Sequence, residues 1–294
     1  MSDPAERPDF SVLERPTPEF TAEARPAGLP RAGRVVEMVA DWLADRIEDG
    51  GAWLATFVRY LPARILRLLL TLVAAIIGSV TLPRGAIRAA RPGKGEVGPF
   101  LRGCARRGGY RMAQFLLEVL DLIGVPEIFA FVWRMVTRVS PLTGEEIAAA
   151  SLVLGPRALR YQDVRVAEGG VLRGIFKRNG NRAFATFHTV NLPEVGPHQR
   201  SNIEIVVHEI IHVYQYERAG SRYFAEALLG QHEEGYGYGG PEGLVAAAAR
   251  GKRFADFNRE QQAQIAQDYL AALRVRAPIA PYEPFIEQLR MGRM

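Results

Sequence analysis

The spacing of apolar residues along the 294-residue chain predicts a mainly helical protein with one short β-rich segment. Apolar positions recur at helical intervals along most of the chain, and the pattern becomes β-like only between about residues 161 and 192. A small antiparallel sheet is expected there. The predicted helices are 35–43, a more apolar helix after Gly51, 109–123, 125–138, 143–154, 201–218, 222–231, 241–250, 255–274 and 283–290, and the predicted strands are 163–166, 171–176 and 183–190.

The helix at 201–218 has the clearest boundaries. Ser201 and Glu204 have the Ser-x-x-Glu spacing of a capping box, and an apolar run follows them directly. Gly220 is well placed to end the helix. Because the run between these signals is almost continuously apolar, we expect a buried helix.

The first half of the chain divides differently. Residues 1–33 are rich in proline and acidic residues and are expected to form a disordered leader, without the apolar segment of a secretory signal. Residues 34–140 are predicted to form a basic helical region, with an irregular linker at 84–108, and residues 141–294 a separate compact domain. Three acidic residues of the basic region are expected on solvated helix edges: Glu118, Asp121 and Glu127.

A run of sixteen residues without a charge, Leu68–Pro83, is shorter than the roughly twenty residues that a membrane-spanning helix needs. We favour a buried core helix for this run. An interfacial, membrane-inserting segment and a true span are the alternatives.

Composition adds limits on partners. The formal net charge is +5, carried mainly by arginine and densest before residue 140, which favours anionic partners such as membrane surfaces. The arginines are scattered without an aromatic platform, so a nucleic-acid partner is not expected. The single cysteine, Cys104, excludes an internal disulfide and a cysteine-based zinc cluster, and we expect it to be a small, half-buried residue.

The segment His208-Glu209-Ile210-Ile211-His212 carries the strongest chemical signal. Two histidines four residues apart lie on one helical face, so both imidazoles can bind one metal ion. Glu209 stands beside them, where it can act as general base on a metal-bound water. The competing interpretation is a pair of hydrogen-bonded core histidines with an ion-paired glutamate.

A metal site of this kind needs a third protein ligand. If the chain turns back just after the helix, Glu226 on the returning segment lies level with His212, and we rank it first. Its alternatives follow His212 at the separation that glutamate-type zincins commonly use: His232, Glu233 and Glu234.

Other residues are candidates for supporting roles. Tyr236 is the preferred donor to the oxyanion of a tetrahedral intermediate, with Tyr238 and Tyr223 as alternatives, although packing is the simpler role for each. Asp268 is more readily explained as a solvated surface residue than as a ligand. The strand that contains His188 is a candidate edge strand for binding a peptide backbone, and His188 itself is expected at the surface.

The stretch His208-Glu209-Ile210-Ile211-His212-Val213-Tyr214-Gln215-Tyr216 resembles the HExxHVxQ helix of the core domain associated with extracellular contractile injection systems and of Vgr-related bacterial proteins. The resemblance spans about residues 142–275. Further segments that are similar to this family are Leu142–Ala148, Tyr161–Val166, Tyr223–Leu228, Gly235–Tyr238 and Phe257–Ala263.

The resemblance implies an α+β, zincin-like (gluzincin-type) metallopeptidase domain behind a mainly helical N-terminal region. It implies Zn²⁺ as the cofactor and a peptide or protein substrate, in the setting of phage-tail-like or toxin-delivery proteins. We therefore expect a zinc-dependent peptidase that is cytoplasmic, with membrane association or export through an injection system as alternative locations. The rival functions are a non-catalytic, metal-stabilised module of such an apparatus and a membrane-active effector.

Overall fold

The computed structural model describes residues 51, 54–55, 57–78, 97–223, 226 and 235–294. The predicted leader at 1–33, the predicted helix at 35–43, most of the predicted helix at 222–231 and the first part of the linker at 84–108 lie outside these residues. The helices are α1 (Phe57–Gly78), α2 (Val97–Leu122), α3 (Val125–Val136), α4 (Gly144–Leu154), α5 (Leu172–Asn179), α6 (Ile203–Ala219), α7 (Gly240–Ala249), α8 (Arg259–Arg274) and α9 (Glu283–Arg290). The strands are β1 (Arg138–Pro141), β2 (Arg165–Glu168), β3 (Phe184–Thr186) and β4 (Thr189–Leu192), and short 3₁₀ turns lie at Tyr161–Asp163 and Phe254–Asp256.

Helix α6 is the centre of the larger core. It packs most extensively against α8, contacts α4, and lies against β3 and β4 of the sheet. Val206, Val207, Ile210 and Ile211 are fully buried, as expected for a helix that is apolar nearly all round. A mixed α+β architecture is therefore present, with helices covering a small sheet.

The ends of α6 follow local chemistry. The side chain of Asn202 accepts a hydrogen bond from the amide of Ile205 and caps the helix, so the predicted Ser201 cap was wrong by one residue. Gly220 ends the helix at a positive φ of 69°, which confirms the predicted stop. Helix α4 begins with a complete capping box between Thr143 and Glu146.

The four-stranded sheet has the order β1-β2-β4-β3 and is mixed. β1 pairs with β2, and β3 with β4, in antiparallel fashion, but β2 and β4 are parallel, with Val166 opposite Val190. The all-antiparallel prediction was wrong because the predicted strand at 171–176 is the start of α5. Leu172 and Phe176, four residues apart, form the buried side of this helix. Strand β1 was not predicted, and it crosses the expected boundary at residues 140 and 141.

The two N-terminal helices are joined to each other by polar contacts. α1 runs antiparallel to α2, with Thr71 bonded to Glu118 at 2.7 Å and Arg111 to the carbonyl of Ala74 at 3.1 Å. The prediction of an irregular linker was wrong for residues 97–108, which belong to α2. Cys104 on α2 is half-buried, as predicted.

The expected solvated edges were also wrong. Glu118, Asp121 and Glu127 are buried and bonded, since they face groups contributed by α1 and by the end of α6. The buried core helix favoured for the uncharged run was wrong for its described part. That part, residues 68–78, leaves many large apolar side chains exposed. By length and composition, α1 is long and apolar enough to cross a membrane.

Candidate metal centre

Three side chains converge at one buried point between α6 and α8. The Nε2 atoms of His208 and His212 lie 3.6 and 3.3 Å from Oε2 of Glu260. One potential ligand atom of each residue lies within 4.8 Å of the others. Two imidazoles and one carboxylate are a donor set that catalytic zinc sites use.

The positions of these side chains follow from the two helices. Adjacent turns of α6 place the two imidazoles together, with ring centroids 4.9 Å apart. A capping box between Asn258 and Gln261 fixes the start of α8, so Glu260 is the second residue of that helix. The packing of α8 on α6 then brings the first turn of α8 to the histidines.

Gln215 orients His212 and ties the two helices together. Its Oε1 lies 2.8 Å from Nδ1 of His212, which assigns the proton of this imidazole to Nδ1 and leaves Nε2 free to bind a cation. Its Nε2 donates to the carbonyl of Arg259 and to Oε1 of Gln262, each at 3.0 Å. This network holds the helix turn that carries Glu260.

Glu209 directly follows His208 on α6. It is buried beside the three converging side chains, and its Oε2 has no hydrogen-bond partner among the described residues. Burial raises the pKa of the Glu209 carboxyl to about 7. A buried carboxylate oxygen without a partner is costly, and a bound water or metal-bound ligand would satisfy it.

Burial and the neighbouring charges act in opposite directions on the pKa values of the three converging residues. Burial lowers the pKa of His208. Burial opposes the charge on His212 too, but the facing carboxylate of Glu260 raises the pKa of His212 to about 9. Burial alone would raise the pKa of Glu260, yet the two imidazoles lower it well below its usual range. Glu260 is therefore anionic and attracts positive charge at the two Nε2 atoms, either the proton of His212 or a metal ion.

The structure does not bring the first-ranked third ligand to the histidines. The Glu226 carboxylate is held by Nε of Arg222 at 2.8 Å and by Nη2 of Arg259 at 2.6 Å, so Glu260 replaces it in the cluster. The prediction assumed that the nearest returning segment supplies the ligand. The alternatives His232, Glu233 and Glu234 lie outside the described residues.

Some of the residues predicted for supporting roles lie beside the cluster and others do not. The rings of Tyr236 and Tyr223 lie 6.2 Å from His208 and 5.5 Å from His212, so both tyrosines border the cluster. Tyr238 instead donates to Asp268 at 2.5 Å, away from the three ligand candidates. His188 is buried rather than exposed, because its Nε2 pairs with Glu217 at 3.0 Å.

Strand β3 forms an edge of the sheet beside α6. It is hydrogen-bonded to β4 on one side and has no second strand partner among the described residues. Both strands contact α6. An edge strand next to the helix that carries a candidate hydrolytic site can pair with an extended peptide.

Scans of protein-family models, of curated proteins and of solved structures found no match to this chain. The resemblance to the contractile-injection-system core domain therefore stays a prediction from the residues.

Sequence reasoning missed Glu260 as a candidate ligand and gave Gln215 no role. Both residues lie in segments that carry the resemblance to the injection-system core domain. A signal for Glu260 was present, because Asn258-x-x-Gln261 marks a helix start and places Glu260 in its first turn. Nothing in the sequence stated that this turn packs beside the histidines.

Proposed function

We propose that the protein is a zinc-dependent peptidase in which His208, His212 and Glu260 bind the metal and Glu209 is the general base. The observation that carries the proposal is the convergence of both Nε2 atoms on one carboxylate oxygen, with an oxygen of buried Glu209 that has no hydrogen-bond partner among the described residues.

The geometry fits zinc. Ligand atoms about 2.0–2.1 Å from a tetrahedral ion lie roughly 3.3–3.4 Å from one another. The separations of 3.3 and 3.6 Å between the histidine nitrogens and Glu260 are close to that spacing. Three protein ligands leave the fourth position open, which distinguishes a catalytic site from a structural one.

Each residue has a defined task in this proposal. Held by His208, His212 and Glu260, zinc would lower the pKa of a bound water and polarise a substrate carbonyl. Glu209 would accept the proton of that water and pass it to the leaving amine, with its buried Oε2 free of other partners among the described residues. Tyr236 and Tyr223 are the candidate donors to the developing oxyanion. Strand β3 is the candidate surface for the substrate backbone.

The test compares metal content and proteolysis in the full chain. Wild-type protein should hold about one zinc per chain and cleave unfolded casein or a mixed peptide library. Glu260→Gln should lose most of the zinc. Glu204→Gln is the matched control, because it removes a carboxylate that also joins α6 to α8, through Arg274, without touching the cluster, and it should keep the metal. A wild-type protein without zinc, or one whose zinc content is unchanged by His208→Ala, would refute the proposal.

One observation favours a second candidate, a non-catalytic, metal-stabilised module. The side chains of the cluster are nearly closed off, since His208, Glu209, His212 and Glu260 are only 4–8% exposed. Glu209→Gln separates the two functions. It should abolish cleavage by a peptidase while zinc stays bound, whereas a structural module has no cleavage to lose.

A further inference from the structure

The exposed apolar surface of this protein is concentrated on α1, α2 and α3. Of the 25 exposed large apolar side chains among the described residues, 19 lie between residues 54 and 136. The other six are scattered singly over the rest of the described chain, as is normal for a soluble surface. So many exposed large apolar side chains on three helices indicate an interaction site. Its members on α1 include Leu66, Leu69, Leu70, Val73, Ile76 and Ile77.

The polar side chains of α1 face the rest of the protein and not the exposed apolar surface. Arg59 pairs with Asp163 at 3.2 Å, and Arg64 donates to the carbonyl of Asp121 at 2.7 Å and pairs with Glu127. Farther along, Arg67 lies 3.8 Å from Asp121 and Thr71 bonds to Glu118. Charged and hydroxyl groups of α1 are thus bonded within the protein, and its remaining face is apolar.

The charge of the chain is concentrated in the same region. Residues 51–140 hold thirteen arginines and lysines against four acidic residues, a net charge of +9. Residues 1–50 carry −5 and residues 141–294 only +1. Two copies of a region with this net charge repel each other, whereas an anionic lipid surface attracts it.

From this combination we propose that α1, α2 and α3 bind an anionic phospholipid bilayer and insert the exposed apolar face of α1 into it. The polar contacts of Arg64 and Arg67 hold the first half of α1 against the protein. The uncharged run after Arg67, Leu68–Pro83, has sixteen residues, fewer than the roughly twenty that a membrane-spanning helix needs. Insertion from one side therefore fits the helix better than a span.

Flotation of the full chain with lipid vesicles tests this proposal. Vesicles of equal parts phosphatidylcholine and phosphatidylglycerol should carry the protein to the top of a density gradient. Phosphatidylcholine vesicles should carry much less. High salt should weaken the binding to the anionic vesicles, because it screens the charges.

A double variant locates the insertion surface. Leu69→Gln with Ile76→Gln changes two side chains that are 53% and 63% exposed and seven residues apart on one helix face. The ratio of bound to free protein should fall by more than about tenfold. Val245→Gln with Val275→Gln is the matched control, since these side chains are 57% and 75% exposed elsewhere, and it should bind as wild type does.

Two results would overturn the proposal. The first is no flotation of wild-type protein with either vesicle, which would also follow if other residues of the chain cover this surface. The second is a concentration-dependent dimer in sedimentation without lipid that the Leu69→Gln, Ile76→Gln variant abolishes, because a second copy would then be the occupant. Zinc binding is measured separately and does not bear on either result.

Discussion

Replacement of Gln215 by leucine tests how much the metal centre depends on the residue that orients His212. Leucine has a similar volume but removes both the acceptor 2.8 Å from Nδ1 of His212 and the donor to α8. Two different quantities should change, the free energy of unfolding of the metal-free protein and the affinity for zinc.

The loss of stability depends on which hydrogen-bonding groups still have a partner after Gln215 is replaced by leucine. Oε1 of Gln262 retains a contact with Nη1 of Arg259 at 3.3 Å, and the carbonyl of Arg259 retains the hydrogen bond of its own helix. Among the described residues, the buried Nδ1–H of His212 is the group that is left without an acceptor. An unsatisfied buried donor costs about 1–3 kcal/mol, so the free energy of unfolding should fall by about that amount.

The loss of zinc affinity has a separate cause. Without an acceptor for Nδ1–H, the imidazole of His212 is less basic at Nε2 and less fixed in orientation. Losing such an outer partner weakens metal binding about 10- to 100-fold, which corresponds to about 1.4–2.8 kcal/mol.

The assays are urea unfolding in the presence of a chelator, followed by circular dichroism, and competition for zinc with a chromophoric chelator. Gln264→Leu is the control on α8. It removes a half-buried amide that bonds Asp268 and should change stability by less than about 0.5 kcal/mol. Gln215→Glu keeps the acceptor and should retain zinc affinity while losing stability. Zinc affinity in Gln215→Leu within about twofold of wild type would refute the orienting role.

Three further predictions concern the fold and the metal. Gly220→Ala should lower the free energy of unfolding by about 3 kcal/mol or more, because φ is 69° and a Cβ would lie 2.3 Å from Oδ2 of Asp121. Gly180→Ala, at φ 74° with open space around it, should lower it by only about 1–2 kcal/mol. Urea unfolding measures both changes. Thr143→Ala should cost about 1 kcal/mol through loss of the α4 cap, and an unchanged unfolding midpoint would contradict this. Removing zinc with a chelator should lower the thermal midpoint of wild-type protein, and added zinc should restore it. A midpoint that ignores zinc would argue against a bound metal.

Local signals made the central helix predictable from the sequence. Its length, its burial, its glycine stop and the pairing of His208 with His212 follow from apolar spacing and from residues one helical turn apart. The one-residue error at its cap arose because Ser201 and Asn202 are both good cap residues, and the conformation of the preceding loop decides which of them takes the cap position.

The failure to predict the parallel strand pair has one origin, which differs from the missed β1 and from the predicted strand 183–190, now two strands, β3 and β4. The segment from Val171 to Phe176 is apolar at positions that suit either a strand or a short helix, and periodicity cannot separate the two over six residues. Taken as a strand, it predicts hairpins and antiparallel pairing. Taken as helix α5, it becomes a crossover between β2 and β4, which makes parallel pairing of those strands possible.

The third ligand depends on packing between elements that are distant in the sequence. Glu226 was predicted by symmetry about the turn after α6, which is a local argument. Glu260 follows His212 by 48 residues, and its position depends on the packing of α8 along α6. Glu226 keeps a part in the site, because the arginine that it holds, Arg259, directly precedes Glu260.

The contacts at the end of α6 connect the metal centre with the proposed membrane surface. Asp121 of α2 accepts hydrogen bonds from the amide and the hydroxyl of Ser221, one residue beyond the glycine that ends α6. His212 lies eight residues before Gly220, or about 12 Å along the helix axis. Because buried polar contacts tolerate little displacement, this junction favours one orientation of α2 on α6 over sliding. If α1 and α2 bind a bilayer, the same contacts hold His208, His212 and Glu260 at a set distance and angle from the lipid surface.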